Sequence, residues 1–128
     1  MATGGDCFDA AVKFVMDKPK EEQDSYQIVH GYPTGQGDIE GMRFIHAWVE
    51  TAEEIDGFSI PVVIDPSNGR EVTMPKVMYY KLGKIDPDEV VIYEPQEAFL
   101  NCVTYGHWGP WDLEHTQEEV EYADREGL

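Results

Sequence analysis

The sequence predicts an α+β domain: one N-terminal helix, a run of mostly neighbouring short strands, and one or two short C-terminal helices. Three observations lead there. Phe8, Ala11, Val12 and Val15 repeat at helical spacing near the start, giving one apolar face. The middle of the chain is made of short segments rich in β-branched and aromatic residues, separated by Gly, Pro, Asn and Asp. The connections between these segments are short, so the sheet is expected to be mainly antiparallel.

Each element follows from its own residues. Asp6 can cap a helix by accepting a hydrogen bond from first-turn amides, with Asp9 completing a capping-box-like pair; Cys7 then takes the first helical position. Lys18, Pro19 and Lys20 stop this helix, and KPKEEQDS reads as a charged linker. YQIVHGY reads as a strand ended by Pro33, and PTGQGDIEG, with three glycines and no periodicity, as a mobile loop. RFIHAWVE is the next strand. Alternation puts Phe44, His46, Trp48 and Glu50 on one of its faces and Ile45, Ala47 and Val49 on the other. TAEEIDG is expected to turn, and FSIPVVID to form a third strand in which Pro61 marks an edge or a break. After the PSNG turn, KVMYYKLG and EVVIYE read as further strands or extended segments around a turn at KIDPDE. PQEAFLNCVTYG reads as a short helix, with Pro95 early and Gly106 at its end.

A chain of 128 residues with 41% hydrophobic content fits a single domain, residues 1–128, with a modest core. Its 26 acidic residues against 9 basic ones give a net charge of -17. Such a field repels nucleic acid, so no direct nucleic-acid binding is expected; it attracts basic protein surfaces. Residues 112–128 carry seven acids against Arg125 and are expected to be a helical or partly disordered acidic tail. The start lacks a basic segment followed by an apolar one, and no run of about 18 apolar residues occurs. The expectation is therefore a cytoplasmic protein with no membrane partner. Two cysteines, Cys7 and Cys102, are too few for a disulfide framework, and both are expected to be reduced.

The residues that carry chemistry stand in chain order. Cys7 lies at a helix start, where unpaired amides and the helix dipole favour a thiolate. His46 lies in a strand, and Asp65 ends another. A thiolate nucleophile needs an imidazole to hold and shuttle a proton, and the imidazole needs a carboxylate or amide to fix its tautomer. Asn68 is the alternative third member. His30 and Tyr32 share a strand face and either line the cleft or belong to a packed strand. Cys7, His30, His46 and Asp65 lack the C-x-x-C or H-E-x-x-H spacing of a metal site, so neither metal nor cofactor is expected. Trp108 and Trp111, in YGHWGPWDL, form either an aromatic plug or a wall of a substrate groove.

The phrases GDCFDAA, IVHGY, HAWVE and VIDPSNG together resemble the landmarks of transglutaminase-like domains, in the papain-like cysteine protease superfamily. The resemblance covers roughly residues 4–69. It implies a papain-like fold with the N-terminal helix packed on the sheet, and Cys7 as nucleophile, His46 as general base and acid, and Asp65 as the orienting carboxylate. It also implies acyl transfer on a peptide or side-chain amide, with protease, deamidase, amidase and transglutaminase outcomes all open. The Cys7 amide can donate once to an oxyanion; Gln27, Gln36 and Tyr32 are the candidates for a second donor. Trp48 is expected to pack beneath His46, with Glu50 paired at the strand end or in solvent. The alternative function is a non-enzymatic acidic inhibitor or nucleic-acid mimic, for example a viral counter-defence protein, on a silent papain-like scaffold.

Overall fold

Five β-branched and aromatic segments pair into one wholly antiparallel sheet. They are β1 (Gln27–Gly31), β2 (His46–Ile55), β3 (Phe58–Asp65), β4 (Val72–Pro75) and β5 (Val91–Tyr93), in the spatial order β4-β3-β2-β1-β5. The helices are α1 (Asp6–Met16), α2 (Lys20–Gln23), α3 (Lys76–Leu82), α4 (Pro95–Tyr105) and α5 (Gln117–Glu126). This computed structural model describes residues 6–127, without the side chains of Asp6 and Asn68, so the expected cap by Asp6 and the alternative role of Asn68 lie outside the described residues. No helix among the described residues is long and apolar enough to cross a membrane.

Alternation along the strands gives the sheet two apolar faces. On one, Phe8, Ala11 and Val15 of α1 and Ala98 of α4 pack against Ile28, Ala47, Val49 and Ile64. On the other, Val29, Trp48 and Val63 are covered by Ile85 and by Tyr79 and Tyr80 of α3. Ala11 and Ala47 are fully buried, and their small size lets α1 lie close to β2.

Four local expectations are corrected. The segment KVMYYKLG is helical, because successive residues of a strand point to opposite faces, whereas Tyr79 and Tyr80 both reach Trp48, at ring-centroid distances of 5.3 and 6.0 Å. TAEEIDG is mostly strand: β2 runs on to Ile55, and only Asp56 and Gly57, at φ 50° and 82°, make the hairpin turn into Phe58. Asp-Gly flanked by extended residues is the usual signature of that two-residue turn. The charged linker contains the single helical turn α2, and residues 72–75 form β4, an edge strand that pairs with β3. The glycine-rich segment 33–41 has little regular structure but is tied down: Thr34 N–H donates to the Gly83 carbonyl at 2.7 Å and Gly35 N–H to that of Met42 at 2.7 Å.

The edge or break expected at Pro61 is also corrected: β3 runs unbroken from Phe58 to Asp65 between β2 and β4, and Pro61 is tolerated because it lies one residue short of the pairing with β4, so its missing N–H costs no ladder bond on that side. Other expectations hold. The helix predicted from Pro95 ends at Gly106 in the left-handed conformation, φ 75°. The acidic tail carries α5, whose N-terminus is a capping box: Glu119 N–H donates to Thr116 Oγ1 at 3.1 Å, and Thr116 N–H to Glu119 Oε1 at 2.7 Å. Cys7 and Cys102 are not joined by a disulfide.

Candidate active site

Three elements meet where β2 begins and β3 ends. Val49 pairs with Ile64, so the start of β2 and the finish of β3 share one end of the sheet. This brings His46 against Asp65, with 2.8 Å between His46 Nε2 and Asp65 Oδ2. The His46 ring is also hydrogen-bonded to the Cys7 side chain, at the start of α1. Cys7, His46 and Asp65 are thus one connected group, although 58 positions separate the first from the last in the sequence.

Electrostatics within the group favours charge separation. Burial alone would push the His46 imidazole down, but hydrogen bonds to Asp65 and Cys7, together with their Coulombic attraction, hold its pKa well above the ordinary 6.5. Burial would likewise raise the Asp65 carboxyl; the bond and charge of His46, helped by Ser67 and Tyr79, hold it below the usual carboxylate range. The Ser67 hydroxyl donates to Asp65 Oδ1 at 2.7 Å, and the Tyr79 hydroxyl to Oδ2 at 2.8 Å. Burial, then the Asp65 charge, pushes the Tyr79 phenol up, so it stays a neutral donor.

Beneath His46 lies Trp48, fully buried and stacked on the imidazole at 6.2 Å between centroids. Its indole N–H donates to Glu50 Oε2 at 2.9 Å. Glu50 is buried, not solvated, and also takes a hydrogen bond from Tyr80 at 2.5 Å and an ion pair from Lys76 at 3.0 Å. The tryptophan is therefore held from below and sets the height of the histidine. It supports the site and does not line a cleft.

Gly31 pairs with His46 across the strands, and a Cβ there would lie 2.7 Å from the Trp48 ring and 2.9 Å from Val90. Gly31→Ala is expected to cost about 1–3 kcal/mol through overpacking. The urea midpoint measures that loss, and Trp48 fluorescence reports the ring's displacement.

The remaining candidates fall into two groups. Gln36 is brought to the site, on the wall of the cleft that His46 and Asp65 also line. Gln27 is not: it lies at the far end of β1, opposite Glu50, and donates to Glu94 Oε2 at 2.7 Å. The Tyr32 hydroxyl donates to the Glu114 carbonyl at 2.8 Å, which ties the tail to the body and removes it as an oxyanion donor. His30 is fully buried on the opposite face of the sheet from Trp48, ringed by Phe8, Tyr93 and Trp111 at 5.0, 4.9 and 5.2 Å, and is core instead of cleft. Trp111 closes that core as a plug and Trp108 lies under the Lys13 ammonium at 5.1 Å, so neither walls a groove at His46. Their aromatic character suits burial better than a groove here, because each finds a ring or a cation to pack on.

Sequence reasoning missed Tyr79 and Ser67, the two hydroxyls that hold Asp65, and also Glu119. Glu119 Oε1 accepts the Ile45 N–H at 2.9 Å, and Thr116 Oγ1 donates to the Arg43 carbonyl at 2.7 Å, so the capping box of α5 clamps the residues just before His46. The T-x-x-E spacing was the signal for that cap. Tyr79 carried none, being read as part of a strand. Comparison with known proteins gives no match: no family model, curated protein or solved structure is significantly similar to this chain.

Proposed function

We propose that this protein is a cysteine-dependent acyl-transfer enzyme on a transglutaminase-like, papain-like scaffold, acting on a peptide or protein amide. The observation that supports it most is the His46 ring bonded both to Asp65, through Nε2, and to the Cys7 side chain. In this mechanism the Cys7 sulfur attacks the amide carbonyl, and His46 gives its proton to the leaving nitrogen as the C–N bond breaks, leaving a thioester on Cys7. Water or an amine then resolves the thioester, with His46 accepting the proton of the incoming nucleophile. The Cys7 amide and the Gln36 side chain are the donors for the developing oxyanion. The net charge of -17 favours substrates with a basic surface, through steering in low salt.

Cys102 supplies an internal control, because burial pushes its thiol up and keeps it slow near neutrality. Iodoacetamide at about pH 6 is expected to modify Cys7 at least tenfold faster than Cys102, and His46→Ala is expected to remove the difference. Peptide mapping by mass spectrometry reads both sites in one sample. A Cys7 no faster than Cys102, or one indifferent to His46, counts against the enzyme. In that case the acidic-inhibitor reading, which the charge alone favours, takes its place.

A further inference from the structure

His46 opens β2, where the sheet supports the chain on one side only. On the β1 side it pairs with Gly31, and the residues before it continue that contact: Arg43 bridges Thr34, and Phe44 N–H donates to the Pro33 carbonyl at 3.2 Å. On the other side the ladder between β2 and β3 begins only at Val49 and Ile64, because the chain turns away after Asp65, through Pro66, into the short turn Ser67–Gly69. Successive residues of an extended chain direct their N–H and C=O groups to opposite edges. With Phe44 bonded toward β1, Arg43 and Ile45 present theirs to the edge that β3 has vacated.

The N-terminus of α5 fills that edge. Arg43 N–H donates to Glu118 Oε2 at 3.3 Å, the Arg43 carbonyl accepts from Thr116 Oγ1 at 2.7 Å, and Ile45 N–H donates to Glu119 Oε1 at 2.9 Å. The same Glu119 oxygen takes the Thr116 N–H at 2.7 Å, so one atom joins the helix cap to the residue before His46. The His46 ring must reach Asp65 Oδ2 at 2.8 Å and the Cys7 side chain at once. A hydrogen-bonded pair tolerates little displacement, and misplacing a reacting group by about 1 Å can cost about a hundredfold in rate.

On the acyl-transfer reading above, we propose that Glu119 and Thr116 are positioning residues for that reaction: the cap of α5 stands in for the missing strand beside residues 43–45 and sets the His46 ring against Cys7 and Asp65. The first turn of the acidic C-terminal helix is then built into the enzyme and is not a dispensable tail.

The intact protein carrying Glu119→Ala is expected to acetylate Cys7 from p-nitrophenyl acetate about tenfold more slowly than the native chain. Its His46 ring, followed by proton NMR, is expected to titrate closer to 6.5, which a loss of helix stability alone would not produce. Glu119→Gln keeps an oxygen for both amides and is expected to recover the native rate to within about threefold. Thr116→Val removes only the hydroxyl, is expected to slow acetylation in the same direction, and carries the test if Glu119→Ala does not fold. Glu121→Gly is the control: it loosens α5 at an exposed position while leaving both capping residues in place, and its rate is expected to stay within about twofold of native. Circular dichroism confirms the fold of each variant before its rate is read. A native rate with an unmoved His46 titration in Glu119→Ala and Thr116→Val, or an equal slowing by Glu119→Gln or Glu121→Gly, overturns the inference and leaves acyl transfer standing. Failure of Cys7 to become acetylated in the native protein overturns both.

Discussion

Asp65→Ala is expected to slow acetylation of Cys7 by roughly a hundredfold or more, and to return the titration of the His46 ring toward 6.5. In the native protein the ring is held by the carboxylate at 2.8 Å, and this bond, with that of Cys7, outweighs the burial that would otherwise strip the ring of its proton. With Asp65 gone, burial acts against one partner instead of two, and the ring loses both its charge and its fixed tautomer. Asp65→Asn should fall between: an amide keeps the ring oriented but gives up the charge. Proton NMR of the His46 ring and the burst rate with p-nitrophenyl acetate measure the two effects separately. A ring that still titrates well above 6.5 in Asp65→Ala would mean that Asp65 does not hold it. Tyr79→Phe and Ser67→Ala, which remove only donors to Asp65, are expected to act in the same direction and more weakly.

The second large effect is on stability in mild acid. Neither nitrogen of His30 has a hydrogen-bond partner among the described residues, and burial, against the pull of Asp112 and with the push of His46, lowers its pKa from 6.5 to about 4. The unfolded chain therefore takes up a proton at a higher pH than the folded one, and folding stability falls as pH drops from about 6.5 to 4. The loss amounts to about 3 kcal/mol for this one group. Asp65, whose folded pKa is depressed, stabilises the fold above the ordinary carboxylate range and loses that contribution only at lower pH, where its unfolded form begins to protonate. The stability from the raised His46 pKa is fully present below 6.5 and is lost only as pH rises. His30→Leu, which keeps an apolar side chain among Phe8, Tyr93 and Trp111, is expected to flatten the profile between pH 6.5 and 4. Urea melts at half-unit pH intervals are the measurement. An unchanged slope in the variant would place the acid sensitivity elsewhere.

Elements with one dominant signal were legible in the sequence. α1 showed its apolar face, β3 its β-branched run and α4 its Pro and Gly boundaries, and each lies where those residues put it. The juxtaposition of Cys7, His46 and Asp65 was legible only through resemblance and the chemical roles of the three residue types, since periodicity says nothing about which strand end meets which helix start. Two kinds of feature were not legible. KVMYYKLG has the composition of a strand, and what makes it a helix is tertiary: Tyr79 and Tyr80 must both reach the same face, to Asp65 and to Glu50. Gln27 and Gln36 are the same residue type, yet one, at the start of β1, bonds Glu94 and the other, in the loop after it, lines the cleft, a difference fixed by strand register and loop path.

The two flanks of the sheet bear on how copies of this protein behave when crowded. β5 is three residues long and β4 four, the latter ending in a proline that has no amide hydrogen to offer. Neither flank gives a stray chain much backbone on which to align, so the sheet resists growing by edge-to-edge self-association, an aggregation route to which long, flat outer strands are prone.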